Sequence, residues 1–203
     1  EIAKMFQWLT TPENYERYPF QAEIILLMMI TGRRAEETMK IRKTMIDYEK
    51  ELITLPASIT KARKKEFIDI TEPVAKVLKQ IENHINGPHK AYRFVDWLFP
   101  TTRINSKQLH SDKYVRSDQT RLKEVRGCWG AVVKETGIVG APKMLRKTFS
   151  SMAKIILGTS SKAIQLTGHE QESTLEQYYD KHTPEQVREY AEQVSQVFKF
   201  KKA

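Results

Sequence analysis

Seven consecutive apolar residues, Ile24-Ile25-Leu26-Leu27-Met28-Met29-Ile30, close a largely apolar stretch that opens at Phe20, and Thr31-Gly32 follows at once. A segment that is apolar on every side has no face to give to water, so it belongs inside the core of a globular protein. It is far short of the roughly 20 residues that a membrane span takes, and the residues before it do not read as a signal peptide. A glycine directly after such a run suits the left-handed conformation in which helices end. The run therefore predicts a buried helix ended by Gly32. The chain has 203 residues, enough for one domain with a real core.

Composition is ordinary for a globular protein, with 40% hydrophobic and 29% charged residues, which argues against wholesale disorder. The formal net charge of +9 is unevenly placed: residues 101–150 hold 11 basic and 4 acidic side chains, against 8 and 8 in residues 1–50. A concentrated basic stretch suits a polyanion such as nucleic acid, because each Lys or Arg on a phosphate releases counterions; a solvated basic face with no partner fits charge alone equally well. The single cysteine, Cys128, leaves no intramolecular disulfide and no cysteine-based zinc site. The expected setting is intracellular, away from any membrane.

Along the chain, Thr11-Pro12-Glu13 reads as a helix start, and Arg34 to Ile46 is helix-permissive. Leu52, Ile53 and Leu55 form one strand candidate, Ile59 part of a second, and Phe67, Ile68 and Ile70 a third, with Ala62-Arg63-Lys64-Lys65 as the turn between the last two. Thr71-Glu72-Pro73 starts a helix through Ile85 that stops at Asn86-Gly87-Pro88. Residues 97–117 read as polar loop, and Ser117-Asp118 as the cap of a helix to Glu135, stopped near Gly137. From Pro142 onward the signals are helical: a segment to Leu157 capped by Gly158, Ser160 to Thr167, Ser173 to Lys181, and Pro184 to Phe198. Val187, Tyr190, Ala191, Val194 and Val197 give that last helix an apolar stripe. The expected fold class is α+β, mostly helical, with a small three-stranded antiparallel sheet in the N-terminal third, and residues 1–203 as a single domain.

Four short stretches carry candidate chemistry. In Thr31-Gly32-Arg33-Arg34-Ala35-Glu36-Glu37, Arg34 stands at a helix start and adds a forked donor to backbone N–H groups already suited to an anion. Glu37, three residues on, shares a helical face with it; a plain surface Arg–Glu pair has the same pattern. Lys61, before the turn residues Arg63, Lys64 and Lys65, is a long flexible amine suited to proton donation or phosphate contact, although most such lysines sit in ordinary turns. Lys143 and Arg146, three apart, face one way on a helix, where two cations repel unless an anion lies between them; a solvated basic face is the plainer reading. In Leu166-Thr167-Gly168-His169, Gly168 allows a turn that exposes His169, and Tyr178 follows nine residues later. A phenol titrates near pH 10 and needs surrounding cations and donors to act as a nucleophile; a Tyr178-Tyr179 pair more often packs.

In order and spacing, TGRRAEE, a hairpin lysine, K-x-L-R, G-H and a tyrosine nine residues on resemble the catalytic domain of the tyrosine recombinase (phage integrase) family, whose pattern is T-G-x-R-x-x-E, Lys, H-x-L-R, G-H, Tyr. The resemblance covers about Thr10 to Lys181. It implies that Tyr178 attacks a phosphodiester of double-stranded DNA to form a 3′-phosphotyrosyl link, that Arg34 and Arg146 hold the non-bridging oxygens, that Lys61 protonates the leaving 5′ oxygen, and that His169 and Lys143 donate to the phosphate or to Tyr178, with Glu37 orienting Arg34. No metal, ATP or other cofactor is implied. DNA-backbone contacts are expected from Arg63, Lys64 and Lys65 and from Lys113, Arg116 and Arg121 in the basic stretch. The family also implies a homo-tetramer on DNA, with the isolated domain a monomer, accessory DNA-bending proteins, and a prokaryotic or phage-encoded protein in the cytoplasm, at the nucleoid.

The chain departs from the family at Lys143, where histidine is usual. Lysine there resembles some integrases and the related type IB topoisomerases, and it supplies a donor but no neutral imidazole. Nothing before Thr10 matches the core-binding or arm-binding domains that precede such catalytic domains, so an excised C-terminal catalytic domain is the expectation. Two other readings share these residues: DNA relaxation by a type IB topoisomerase, and a DNA-binding domain without catalysis. A nucleophile-position tyrosine counts against the second, since binding alone does not need it.

Overall fold

The structure, a computed structural model, describes residues 1–102, 120–167 and 183–199. The expected helix over 173–181 therefore lies outside the described residues, as do His169, Tyr178, Lys113 and Arg116.

The apolar run forms helix α3 (Gln21–Thr31), in which every residue from Ala22 to Thr31 is buried. Around it pack α1 (Ile2–Leu9), α2 (Pro12–Arg17), α4 (Ala35–Met39), α5 (Glu72–Asn86), α6 (Arg126–Thr136) and α7 (Met144–Leu157). Each fully buried Ile, Leu or Met contributes roughly 1.5–3 kcal/mol relative to exposure, so this helix is the centre of the core and not a membrane element. Among the described residues no helix is long and apolar enough to cross a membrane. Two further helices among the described residues are α8 (Ser160–Thr167) and α9 (Pro184–Ser195). The helix α1 carries no expectation from sequence, yet its Met5, Phe6 and Leu9 are buried at the spacing of one helical face.

A three-stranded antiparallel sheet of order β1-β2-β3 flanks the helices. Its strands are β1 (Ile46–Asp47), β2 (Leu52–Leu55) and β3 (Glu66–Asp69). The register pairs Ile46 with Ile53, Ile53 with Ile68, and Leu55 with Glu66. Ile53, Leu55 and Ile68 point into the core, while Phe67 on the other face is exposed, the alternation of a sheet wet on one side.

Four sequence expectations are corrected. Ile59 is not in a strand. Pro56 ends β2, since it has no N–H for the ladder, and the Ile59 N–H turns back onto the Pro56 carbonyl at 3.0 Å; the third strand is Ile46–Asp47 instead. The helix expected from Arg34 to Ile46 stops at Met39, because the Ile41 carbonyl accepts from Leu98 N–H at 3.0 Å and Arg42 pairs with Trp97 in an isolated bridge. The start of the expected polar loop, residues 97–100, is buried, and its Phe99 carbonyl accepts from Leu122 N–H at 2.9 Å. That pairing, with the Pro100–Arg121 bridge, takes residues 121 and 122 out of helical conformation, and α6 begins at Arg126. Tertiary partners here override local propensity.

The stops fall where glycine predicts them. Gly32, Gly137 and Gly158 all take positive φ as helix C-caps. The last helix ends at Ser195, earlier than Phe198, and its stripe is covered in cis by α7, α8 and α5. Tyr190, Val194 and Phe198 are buried, whereas Val197 is exposed.

Candidate active site

The end of α3 places the first cation. Gly32 turns the chain at φ +65°, and its Cα faces the Phe149 ring so closely that an added Cβ would lie 2.4 Å from Phe149 Cδ1. No other residue type has both the conformation and the size for this position. Its carbonyl accepts from Arg146 Nη1 at 3.0 Å. The glycine thus joins two distant stretches: Phe149 and Arg146, both on α7, meet the loop that carries Arg34.

Arg34 follows as the N-cap of α4. Its Nη1 donates to Glu37 Oε1 at 3.0 Å, and its backbone N–H to Glu37 Oε2 at 3.3 Å. The same Oε1 accepts from the backbone N–H of Lys61 at 3.0 Å. One buried carboxylate therefore sets the distance between Arg34 and the Lys61 turn. This is more than a surface Arg–Glu pair: the Glu37 side chain is 2% exposed and that of Arg34 26%. Burial pushes the Glu37 carboxyl up, but the Lys61 N–H and Arg34 outweigh it and hold it below the ordinary carboxylate value.

Lys61 has its backbone tethered while the residue as a whole is exposed, and Arg63, Lys64 and Lys65 beyond it are exposed too. The turn is further closed by Thr60 Oγ1 donating to the Lys64 carbonyl at 2.7 Å. Lys143 is exposed at the residue before α7, and Arg146 is buried on the first turn of that helix. Burial, and next the nearby Arg34 cation, push the Arg146 guanidinium down to about 10, opposed by Glu37. Arg146 remains charged at neutral pH, so the two guanidiniums stand near each other against repulsion. An anion between them relieves that repulsion. Among the described residues, no group of three or more His, Cys, Asp or Glu side chains is arranged to hold a metal ion.

Arg121, expected on the DNA face, is buried at 7% exposure. Its guanidinium lies 5.7 Å from the Trp97 ring centroid, on a ring that Arg42 also covers at 3.8 Å. The structure also brings in two residues that sequence reasoning did not single out. Arg33, buried between Gly32 and Arg34, pairs through Nη1 with Glu66 Oε2 and donates through Nη2 to the Phe67 carbonyl. The one signal for it in the sequence was a lone acid, Glu66, directly after Arg63-Lys64-Lys65.

Comparison with known proteins gives the family and a similar fold. The profile of the phage integrase family matches residues 2–185, and the chain belongs to that family, the tyrosine recombinases. No curated protein matches the sequence. A crystal structure of XerA recombinase is similar in fold, with a TM-score of 0.54 and 17% identity over 92% of this chain and 60% of that one. The chain thus spans less than two thirds of that neighbour's length.

Proposed function

We propose that the chain is the catalytic domain of a site-specific DNA recombinase that cleaves and rejoins DNA through a 3′-phosphotyrosyl intermediate. The observation that carries this reading is the Glu37 oxygen shared between Arg34 and Lys61, beside an Arg146 anchored on the Gly32 carbonyl. It brings two guanidiniums and the backbone of an exposed lysine together around one carboxylate and one carbonyl. In the proposed reaction Tyr178 Oη gives its proton to solvent water and bonds to phosphorus, the bond from phosphorus to the 5′ oxygen breaks, and Lys61 Nζ gives that oxygen its proton and is reprotonated from solvent. Arg34 and Arg146 hold the non-bridging oxygens as negative charge grows on them, from positions fixed before reaction. His169 and Lys143 donate to the phosphate. Arg63, Lys64 and Lys65 lie along the DNA backbone, and assembly on DNA is as a tetramer.

The test uses a pool of nicked duplexes of randomised sequence, from which the protein captures covalently the members it can cleave. An adduct stable to denaturation is expected, lost in Tyr178→Phe with DNA retention unchanged, and kept in Tyr179→Phe. Arg34→Ala and Arg146→Ala should each slow adduct formation by roughly 10²–10³-fold, as loss of a donor to a developing oxyanion does. Lys61→Ala should be slow on ordinary DNA and restored when sulfur replaces the bridging 5′ oxygen, since sulfur leaves without a proton. No adduct from the wild type, or an adduct from Tyr178→Phe, overturns the proposal.

A further inference from the structure

Two residues close to Arg34 hold the same piece of chain: Glu37, which also accepts from Arg34, and Arg33, which turns to other partners. Glu37 accepts from the Lys61 backbone at 3.0 Å. Arg33 forks onto the Glu66 carboxylate and the Phe67 carbonyl. Lys61 and Glu66 are the two ends of the stretch that carries the exposed Lys61, Arg63, Lys64 and Lys65. Between those ends two local bonds close the turn: Arg63 N–H to the Thr60 carbonyl at 3.2 Å and Thr60 Oγ1 to the Lys64 carbonyl at 2.7 Å. Arg63 also sits at φ 52°, a left-handed conformation unusual for a residue with a side chain. Without its two end anchors such a stretch has several conformations of similar energy.

The far anchor is buried, with side-chain exposures of 4% for Arg33 and 10% for Glu66. A desolvated ion pair adds little net stability over apolar residues of the same size, and its best use is to select one geometry. Burial raises the Glu66 carboxyl, Arg33 opposing, and lowers the Arg33 guanidinium, Glu66 opposing; each charge leans on the other.

We infer that Arg33 and Glu66 form a positioning clamp for Lys61, fixing the far end of the 61–66 stretch while Glu37 fixes the near end, so that the Lys61 amine is presented to the leaving oxygen. This rests on the reading of Lys61 as proton donor given above. Both are positioning residues that act through the Lys61 backbone. The field effect of Glu66 has the opposite sign: its charge opposes those of Arg34 and Arg146, so neutralising it favours negative charge at phosphorus. Slower cleavage on its removal therefore reports geometry.

The experiment uses a captured duplex made with oxygen or with sulfur at the bridging 5′ position. Glu66→Gln should slow adduct formation on the oxygen substrate by about 10–100-fold, the usual cost of losing a residue that orients a reacting group. On the sulfur substrate it should stay within about twofold of the wild type, where the proton is not needed. Arg33→Lys keeps the charge but not the fork and should show the same selective defect; it serves as well if Glu66→Gln does not fold. Wild-type cleavage of the oxygen substrate, or equal defects on both substrates, overturns the clamp. Lys61→Ala is run beside them. If sulfur does not restore Lys61→Ala, the proton-donor reading falls, and amide hydrogen exchange then decides the clamp alone: exchange at Lys61 should rise by about tenfold or more in Glu66→Gln with α5 amides unchanged, and an unchanged Lys61 rate overturns it.

Discussion

Gly32 shows how much a single residue can hold. It ends α3 in a conformation that side chains disfavour, leaves room for the Phe149 ring, and lends its carbonyl to Arg146. Gly32→Ala should therefore destabilise the protein by roughly 2–4 kcal/mol, combining left-handed strain with overpacking. Denaturant unfolding measures this. Phe149→Leu in the same chain should recover part of the loss, because the clash is with the ring and not with backbone. If Gly32→Ala unfolds like the wild type, the close approach of α3 and α7 is wrong.

Among the elements, α3 and α5 are joined by a buried polar contact. His84 Nε2 lies 2.9 Å from Glu23 Oε1, with side-chain exposures of 5% and 0%. Tyr15, Phe20 and His89 ring the imidazole at 5.6, 5.7 and 5.8 Å, the Tyr15 ring nearly perpendicular to it. Water cannot replace a lost partner in so apolar a setting. Glu23→Ala or His84→Ala should each cost about 2–4 kcal/mol, the cost of leaving the other group unpaired. Glu23→Leu combined with His84→Phe should cost less than the sum of the two single changes, and thermal unfolding of the four chains tests that. Additive losses would mean that the two groups do not depend on each other.

For the whole molecule, the proposed contact with DNA depends on where the exposed charge lies. The exposed turn residues Arg63, Lys64 and Lys65 present three cations to solvent, whereas Arg121 is buried against Trp97. Each phosphate contact contributes about −0.9 to the slope of log affinity against log salt. Changing the three turn residues to Gln together should flatten that slope by up to about 2.7. Arg121→Ala should lower the melting temperature and leave the slope alone. Fluorescence anisotropy on a labelled duplex across a salt series measures both. A slope that responds to Arg121 and not to the turn would place DNA on a different face.

Local signals in the sequence were enough for the buried central helix, the glycine stops at 32, 137 and 158, the capped helix α5, and the order of motifs that marks the family. Each of these depends on neighbours a few residues away, through periodicity, φ preference or capping. What needed the tertiary structure were the choices between partners far apart in the chain. Ile41 and Arg42 pair with residues 97–98 instead of continuing a helix, and Arg121 folds inward. Of two adjacent arginines, the motif marks Arg34, but that Arg33 turns to a glutamate 33 residues away needed the fold. Nothing in the side chains of Arg33 and Arg34 tells them apart. The difference is the direction in which Gly32 releases the chain, and which carboxylate the assembled sheet and helix bring within reach.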